Sequence, residues 1–211
     1  HGPGLDWGYG NTFKDGQEFK LGNLKIRAIH TPGHTDESSS YAVFDETSGE
    51  NTVLVFTGDT LFVGDTGRID MYGPDEEERL AENLYHSIFD KLLPLGDQAI
   101  VCPAHGSGSV CGSTISEREH TTIGLERKQN PALQITDKIK FVEYKKAEKH
   151  YYSPYFKRME EYNLEGPPLL KNIPRFKSLL PGEFRNKFQE GGIILDTRNP
   201  NDFGSAHIKN S

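Results

Sequence analysis

The sequence predicts a layered α/β fold, and three observations carry that prediction. Short apolar or alternating segments recur at residues 24–29, 38–44, 53–56 and 99–102. A stripe of Leu80, Leu84, Ile88 and Leu92 repeats every four positions between the last two of them, which is the spacing of one helix face. A strand, a helix and a further strand read as a sheet with helices laid on it. Finally, three of the segments run straight into a histidine or an aspartate, where layered sheets gather their sites.

Composition narrows the function classes. The chain has 211 residues, with 24 Lys+Arg against 31 Asp+Glu, a net charge of −7. That balance argues against nucleic acid or an anionic membrane as partner, since both select basic surfaces. A globule of this size hides about 70% of its surface and so has a real core. No apolar run is long enough to span a bilayer. The two cysteines, Cys102 and Cys111, are too few for a disulfide framework and read as reduced thiols, the expectation for a cytoplasmic protein.

Taken in order, residues 1–20 are Gly-rich and turn-like. Residues 24–29 alternate apolar and polar, as a half-buried strand does, until Thr31-Pro32-Gly33-His34-Thr35 breaks the pattern. A second strand follows at 38–44 and a polar turn at 45–51. The continuous apolar run 53–56 predicts a strand buried on both faces, ending at Thr57-Gly58-Asp59. Asp75 is the expected N-cap of the striped helix, which Pro94-Leu95-Gly96 ends. The strand at 99–102 leads into Pro103-Ala104-His105-Gly106. Ser116-Glu117-Arg118-Glu119 fits a capping box for another helix, closed by Asn130-Pro131. Residues 137–163, rich in Lys, Glu and Tyr, read as a solvated helical face. Gly166-Pro167-Pro168 and Pro174 mark a linker. Beyond it Phe184 and Phe188 suit a short helix, and Gly191-Gly192 precedes an expected strand at 193–196.

His34, Asp59 and His105 are the candidate ligands at the three strand ends. Imidazole and carboxylate together suit zinc or iron, and a 2-His-1-carboxylate set with open positions is an iron(II) arrangement. Singly, each has a plainer reading, a loop histidine or a turn-capping aspartate.

In this order, Thr31-Pro32-Gly33-His34-Thr35, Phe56-Thr57-Gly58-Asp59-Thr60-Leu61-Phe62, Gly67-Arg68 and Pro103-Ala104-His105-Gly106-Ser107-Gly108 resemble the metallo-β-lactamase superfamily. Within it the chain looks most like persulfide dioxygenases, particularly bacterial ones fused to rhodanese domains. Thr122-Ile123-Gly124-Leu125-Glu126 and Asn130-Pro131-Ala132-Leu133 have the same character. The likeness covers most of residues 1–165. The tail, Ile194-Leu195-Asp196-Thr197-Arg198 with Phe203 and Ala206-His207-Ile208, resembles the opening of a rhodanese domain, whose cysteine loop would lie beyond Ser211.

The resemblance implies an αββα sandwich of two mixed sheets with helices outside. It implies a metallo-β-lactamase-like domain at 1–163 with its N-terminal part missing, a linker at 164–175, and the start of a rhodanese-like α/β domain at 176–211. His34 and Asp59 match two ligands of a mononuclear Fe(II). The family's third ligand comes from an H-x-H-x-D-H motif, which this sequence lacks, so the chain reads as an internal or C-terminal piece of a longer protein. His105 matches the second-metal ligand of hydrolytic relatives and lies near the iron in the dioxygenases. Arg68 matches an arginine that could pair with a substrate carboxylate, and Cys111 is a candidate substrate-contacting or persulfide-carrying thiol. The implied partners are glutathione persulfide, or a related small persulfide, and O₂, giving sulfite and thiol; homo-oligomer formation is left open. Two alternatives stand beside this. One is a glyoxalase II-type thioester hydrolase with two metals, such as zinc, bridged by Asp59. The other is a non-catalytic sulfur-binding module.

Overall fold

The computed structural model describes residues 12–211 except 48, 50, 113, 170 and 172–174. The chain divides into two compact units, His1–Lys157 and Arg158–Ser211.

The first unit is built on one six-stranded sheet whose strands lie in chain order. They are β1 (Glu18–Leu21), β2 (Leu24–His30), β3 (Ser39–Asp45), β4 (Thr52–Gly58), β5 (Ile100–Pro103) and β6 (Thr121–Thr122). The first strand occupies part of the stretch expected to be turn-like; it forms a hairpin with β2 around Gly22-Asn23. Every pair is antiparallel except β4–β5, which is parallel. A parallel pair needs a crossover. Helix α1 (Glu77–His86) supplies it, continuing as a wider π-type turn over Ser87–Leu92. Its N-cap is Glu76, without a side-chain cap, rather than the expected Asp75.

The predicted stripe is the core. Leu80, Ala81, Leu84, Ile88 and Leu92 are all 0% exposed. They join Ile29, Ala42, Phe44, Val55 and Val101 from the sheet in one cluster. Each large aliphatic buried this way contributes about 1.5–3 kcal/mol.

The other face of the sheet is also apolar. The register places Phe19, Ile26, Val43, Leu54 and Ile100 in one row across five strands, with Tyr41, Phe56 and Cys102 in the next. Val55 is fully buried, whereas Val53 and Phe56 are 39% and 49% exposed. The strand expected to be buried on both faces is therefore covered only on its helix side among the described residues. These residues hold the helix layer and one sheet of an αββα sandwich. They present the apolar face on which a second sheet packs in that architecture.

Helix α2 (Ile123–Gln129) begins later than its expected capping box. Thr122 is the N-cap, its Oγ1 accepting from the Leu125 N–H at 3.2 Å. Ser116 and Arg118 are engaged elsewhere: the Ser116 N–H donates to the Val63 carbonyl, and Arg118 pairs with Glu126. Helix α3 (Lys138–Ala147) is not a wholly solvated face. It buries Phe141 and Lys145, and Phe141 meets Tyr85 and Phe89 edge-on. Helix α4 (Phe156–Glu165) follows.

The second unit contains α5 (Pro181–Gln189) and α6 (Pro200–Ser205), neither with a buried residue. The strand expected at 193–196 does not form. A strand needs a ladder partner, none pairs with it among the described residues, and Ile193 and Leu195 stand 97% and 82% exposed. Part of the expected linker, residues 170 and 172–174, lies outside the described residues. Among the described residues no helix is long and apolar enough to cross a membrane.

Candidate metal centre

The sheet topology brings the candidate ligands to one edge. β2 and β4 are both antiparallel to β3, and β4 is parallel to β5. The C-terminal ends of β2, β4 and β5 therefore emerge together, carrying His34, Asp59 and His105. Buried hydroxyls fasten the first two ends. Thr31 Oγ1 lies 3.0 Å from Ser40 Oγ and 3.1 Å from Thr60 Oγ1, and Thr57 Oγ1 donates to the Leu61 carbonyl at 2.7 Å. All four of Thr31, Ser40, Thr57 and Thr60 are 0% exposed. Two glycines allow the close approach. A Cβ at Gly33 would lie 2.5 Å from the Leu84 backbone, and its φ of +144° disfavours any side chain. A Cβ at Gly67 would collide with the Asp59 carbonyl and press on His34 Cβ.

His34 is 7% exposed. Its Nδ1 lies 2.9 Å from the Arg68 carbonyl oxygen, which can only accept. Nδ1 therefore carries the proton, and Nε2 presents a lone pair. Burial pushes the imidazole below its usual pKa, against the opposing pull of the Asp59 charge, so His34 is neutral and ready to ligate. Asp59 Oδ1 is buried without a hydrogen-bond partner among the described residues. His105 Nε2 approaches it at 3.0 Å without hydrogen-bond geometry. A buried orphan carboxylate oxygen is costly unless something positive completes it. Ligand atoms of His34, Asp59 and Cys111 all lie within 4.8 Å of one another. A neutral imidazole, a carboxylate and a sulfur at that spacing fit a transition metal such as zinc or iron. His30, four residues before His34, is turned to the Asp36 carbonyl, 2.6 Å from its Nε2.

Arg68 has a different place from the one its motif implied. Its side chain is 1% exposed. Nε and Nη2 donate to the two Asp70 oxygens, both at 2.6 Å, and Nη1 donates to the Val110 and Tyr151 carbonyls. The guanidinium also lies over the Phe156 ring. With these donors committed, Arg68 braces the loops of the site instead of reaching for a substrate carboxylate. Burial pushes the Asp70 carboxyl up, but hydrogen bonding and charge from Arg68 outweigh it and hold the group below its ordinary value.

Sequence reasoning missed Asp70, although opposite charges two residues apart around Ile69 were a readable signal. It also missed Glu126. This carboxylate is 0% exposed and accepts from Gly64 N, Thr121 Oγ1, Arg118 Nη2 and Asn130 Nδ2. Asn130 Nδ2 also donates to the Asp65 carbonyl. Together they tie the loop at 63–66 to α2. Cys111 lies beside His34 and Asp59, its thiol pKa raised by burial and then by the Asp59 charge.

No family model matches the chain. Among curated proteins, an uncharacterized Mycobacterium tuberculosis protein is 39% identical over 121 residues, 57% of this chain and 46% of that protein. The hydroxyacylglutathione hydrolase GloC of Haemophilus influenzae is 34% identical over 120 residues, 57% of this chain and 46% of its own. The mitochondrial persulfide dioxygenase ETHE1 of Bos taurus is 28% identical over 135 residues, 64% and 44%. The chain thus spans about half the length of the curated relatives it matches. Among solved structures, a metallo-β-lactamase of Staphylococcus aureus superposes with a TM-score of 0.74 at 24% identity, over 95% of this chain and 55% of that one. ETHE1 of Myxococcus xanthus superposes with a TM-score of 0.56 at 28% identity, over 74% and 60%. These likenesses support a place in the metallo-β-lactamase superfamily, and the fold of the chain is the metallo-β-lactamase fold.

Proposed function

We propose that the chain carries the metal-binding loops of a persulfide dioxygenase. The observation that carries this reading is the cluster of His34, Asp59 and Cys111, a neutral imidazole, a carboxylate with one oxygen unpartnered among the described residues and a thiol, with ligand atoms within 4.8 Å of one another. The likeness to two proteins named ETHE1, one a persulfide dioxygenase, supports it. The rhodanese-like character of the tail fits sulfur transfer in the same protein. The substrate is glutathione persulfide or a related small persulfide. Its terminal sulfur is oxidised and the S–S bond cleaved: RSSH + O₂ + H₂O gives RSH, sulfite and two protons.

His34 and Asp59 would hold a single Fe(II), with a further histidine supplied by an H-x-H-x-D-H segment of the whole protein. Bound there, iron would supply the redox chemistry with O₂ that side chains lack. The protein residues hold and orient. The Arg68 carbonyl fixes the His34 tautomer, Arg68–Asp70 braces the loops, and His105 stands 3.0 Å from Asp59.

A second reading, a hydroxyacylglutathione hydrolase, is favoured by the 34% identity to GloC and by His105, whose 3.0 Å approach to Asp59 suits a second metal such as zinc. A paired assay separates the two. The whole protein, loaded with iron, is given glutathione persulfide or S-lactoylglutathione. The proposal expects oxygen uptake and sulfite in equal amounts with the first, and neither thioester hydrolysis nor dependence on a second metal equivalent with the other. Thioester hydrolysis without oxygen uptake would replace it with the hydrolase.

A further inference from the structure

We infer that Cys111 is itself a protein ligand of the metal, making the site on this chain a mixed imidazole, carboxylate and thiolate set. The inference rests on the metal reading above and goes beyond it by naming a third donor.

Three observations carry it. The sulfur lies within 4.8 Å of both the His34 and Asp59 ligand atoms, a separation that one ion between them spans. Zinc bonds are about 2.3 Å to sulfur and about 2.0–2.2 Å to nitrogen or oxygen. Asp59 Oδ1 has no hydrogen-bond partner among the described residues, and the 7%-exposed His34, its Nδ1 taken by the Arg68 carbonyl, has Nε2 left to donate a lone pair. The backbone that carries the thiol is also held in place on both sides. The Arg68 N–H donates to the Cys111 carbonyl at 3.2 Å, Arg68 Nη1 donates to the Val110 carbonyl at 3.0 Å, and the Cys111 N–H donates to Ser109 Oγ at 3.1 Å. Beyond it, the Thr114 N–H donates to Asp65 Oδ2 at 2.6 Å. The residue that orients His34 thus also fixes Cys111, so one buried arginine sets the spacing of two donors.

The chemistry follows from the donor set. On binding, the thiol loses its proton to solvent and a metal–sulfur bond replaces the S–H bond. A thiolate selects zinc, cobalt or iron over magnesium, calcium or manganese, which prefer oxygen. Cys102, the other cysteine, faces away, in the sheet row of Tyr41 and Phe56.

Cobalt(II) is the probe. The metal-free whole protein is titrated with Co(II) and its absorption followed. Wild type and Cys102→Ser are expected to show both the visible d–d bands and a near-ultraviolet sulfur-to-cobalt charge-transfer band. Cys111→Ser is expected to keep the d–d bands, lose the charge-transfer band and bind cobalt about tenfold or more weakly. If that variant fails to fold, the wild-type spectrum can still refute the inference, and Cys111→Ala replaces it for assigning the band. Wild-type d–d bands without the charge-transfer band, or the same band in Cys111→Ser, would overturn the inference and leave the His34–Asp59 metal centre standing. No cobalt binding by wild type would overturn both.

Discussion

Replacing Arg68 with methionine tests whether the buried ion pair braces the metal loops. Methionine keeps an unbranched stem of similar length but removes the guanidinium, and with it the contact over the Phe156 ring. Four hydrogen bonds go with it, two to Asp70 at 2.6 Å and one each to the Val110 and Tyr151 carbonyls at 3.0 and 3.3 Å. Breaking a buried pair from one side costs about 3–5 kcal/mol when the remaining charge is sealed off. Asp70 is 24% exposed, so water partly rescues it, and about 3 kcal/mol is the expected loss. With a urea slope of about 2 kcal/mol/M, the midpoint falls by about 1.5 M. The Arg68 carbonyl survives the change, so His34 keeps its tautomer; the loop behind it loosens, and metal affinity falls about 10–100-fold. A pH series adds a second check. Asp70 has a folded pKa below its ordinary 3.8, so its stabilising contribution is full above that value and lost as pH falls through the lowered one. The gap between wild type and Arg68→Met therefore narrows below about pH 4. A loss under about 0.5 kcal/mol with unchanged metal affinity would refute the brace.

Other variants probe the supports of the same edge. Gly67→Ala pushes a methyl group into the Asp59 carbonyl and His34; cobalt or zinc titration is expected to show a loss of binding larger than the loss in stability. Glu126→Gln leaves donors facing an amide NH₂ group and is expected to cost about 2–3 kcal/mol in urea unfolding. His34 has a folded pKa below its ordinary 6.5, so the unfolded chain takes up a proton first. Stability of the metal-free protein is therefore expected to decline as pH falls below about 6.5, and His34→Gln should flatten that decline.

The sequence made some features legible and concealed others, for physical reasons. Period-four spacing identified the α1 stripe, and alternation identified β2 and β3, because both patterns are direct consequences of side-chain direction. His34 and Asp59 were legible as candidate ligands from their positions at strand ends, and the Thr-Gly-Asp-Thr string hid a further message: its threonines are buried hydroxyls that pin those ends. The α2 start was misplaced because Ser116 makes a local turn that competes with a cap, while Thr122 provides the cap in fact. Residues 193–196 looked like a strand because Ile193, Ile194 and Leu195 favour extended backbone, yet propensity supplies no ladder partner. The resemblance implies a substrate contact at Arg68, but a motif match does not reveal burial; Arg68 and Asp70 lie two residues apart and satisfy each other. Cys111, six residues after His105 in a Gly/Ser-rich loop, was legible as a neighbour of the site, but the Arg68 hydrogen bonds that hold its loop are encoded by no local pattern.

The most direct test of the account is a zinc or iron titration of the metal-free whole protein, comparing wild type with Asp59→Ala. The account predicts stoichiometric binding to wild type and a loss of about 100-fold or more in affinity when the Asp59 carboxylate is removed, with the fold unchanged by circular dichroism. Undiminished binding by Asp59→Ala would place the metal elsewhere and contradict the claim that the β2 and β4 strand ends build the centre.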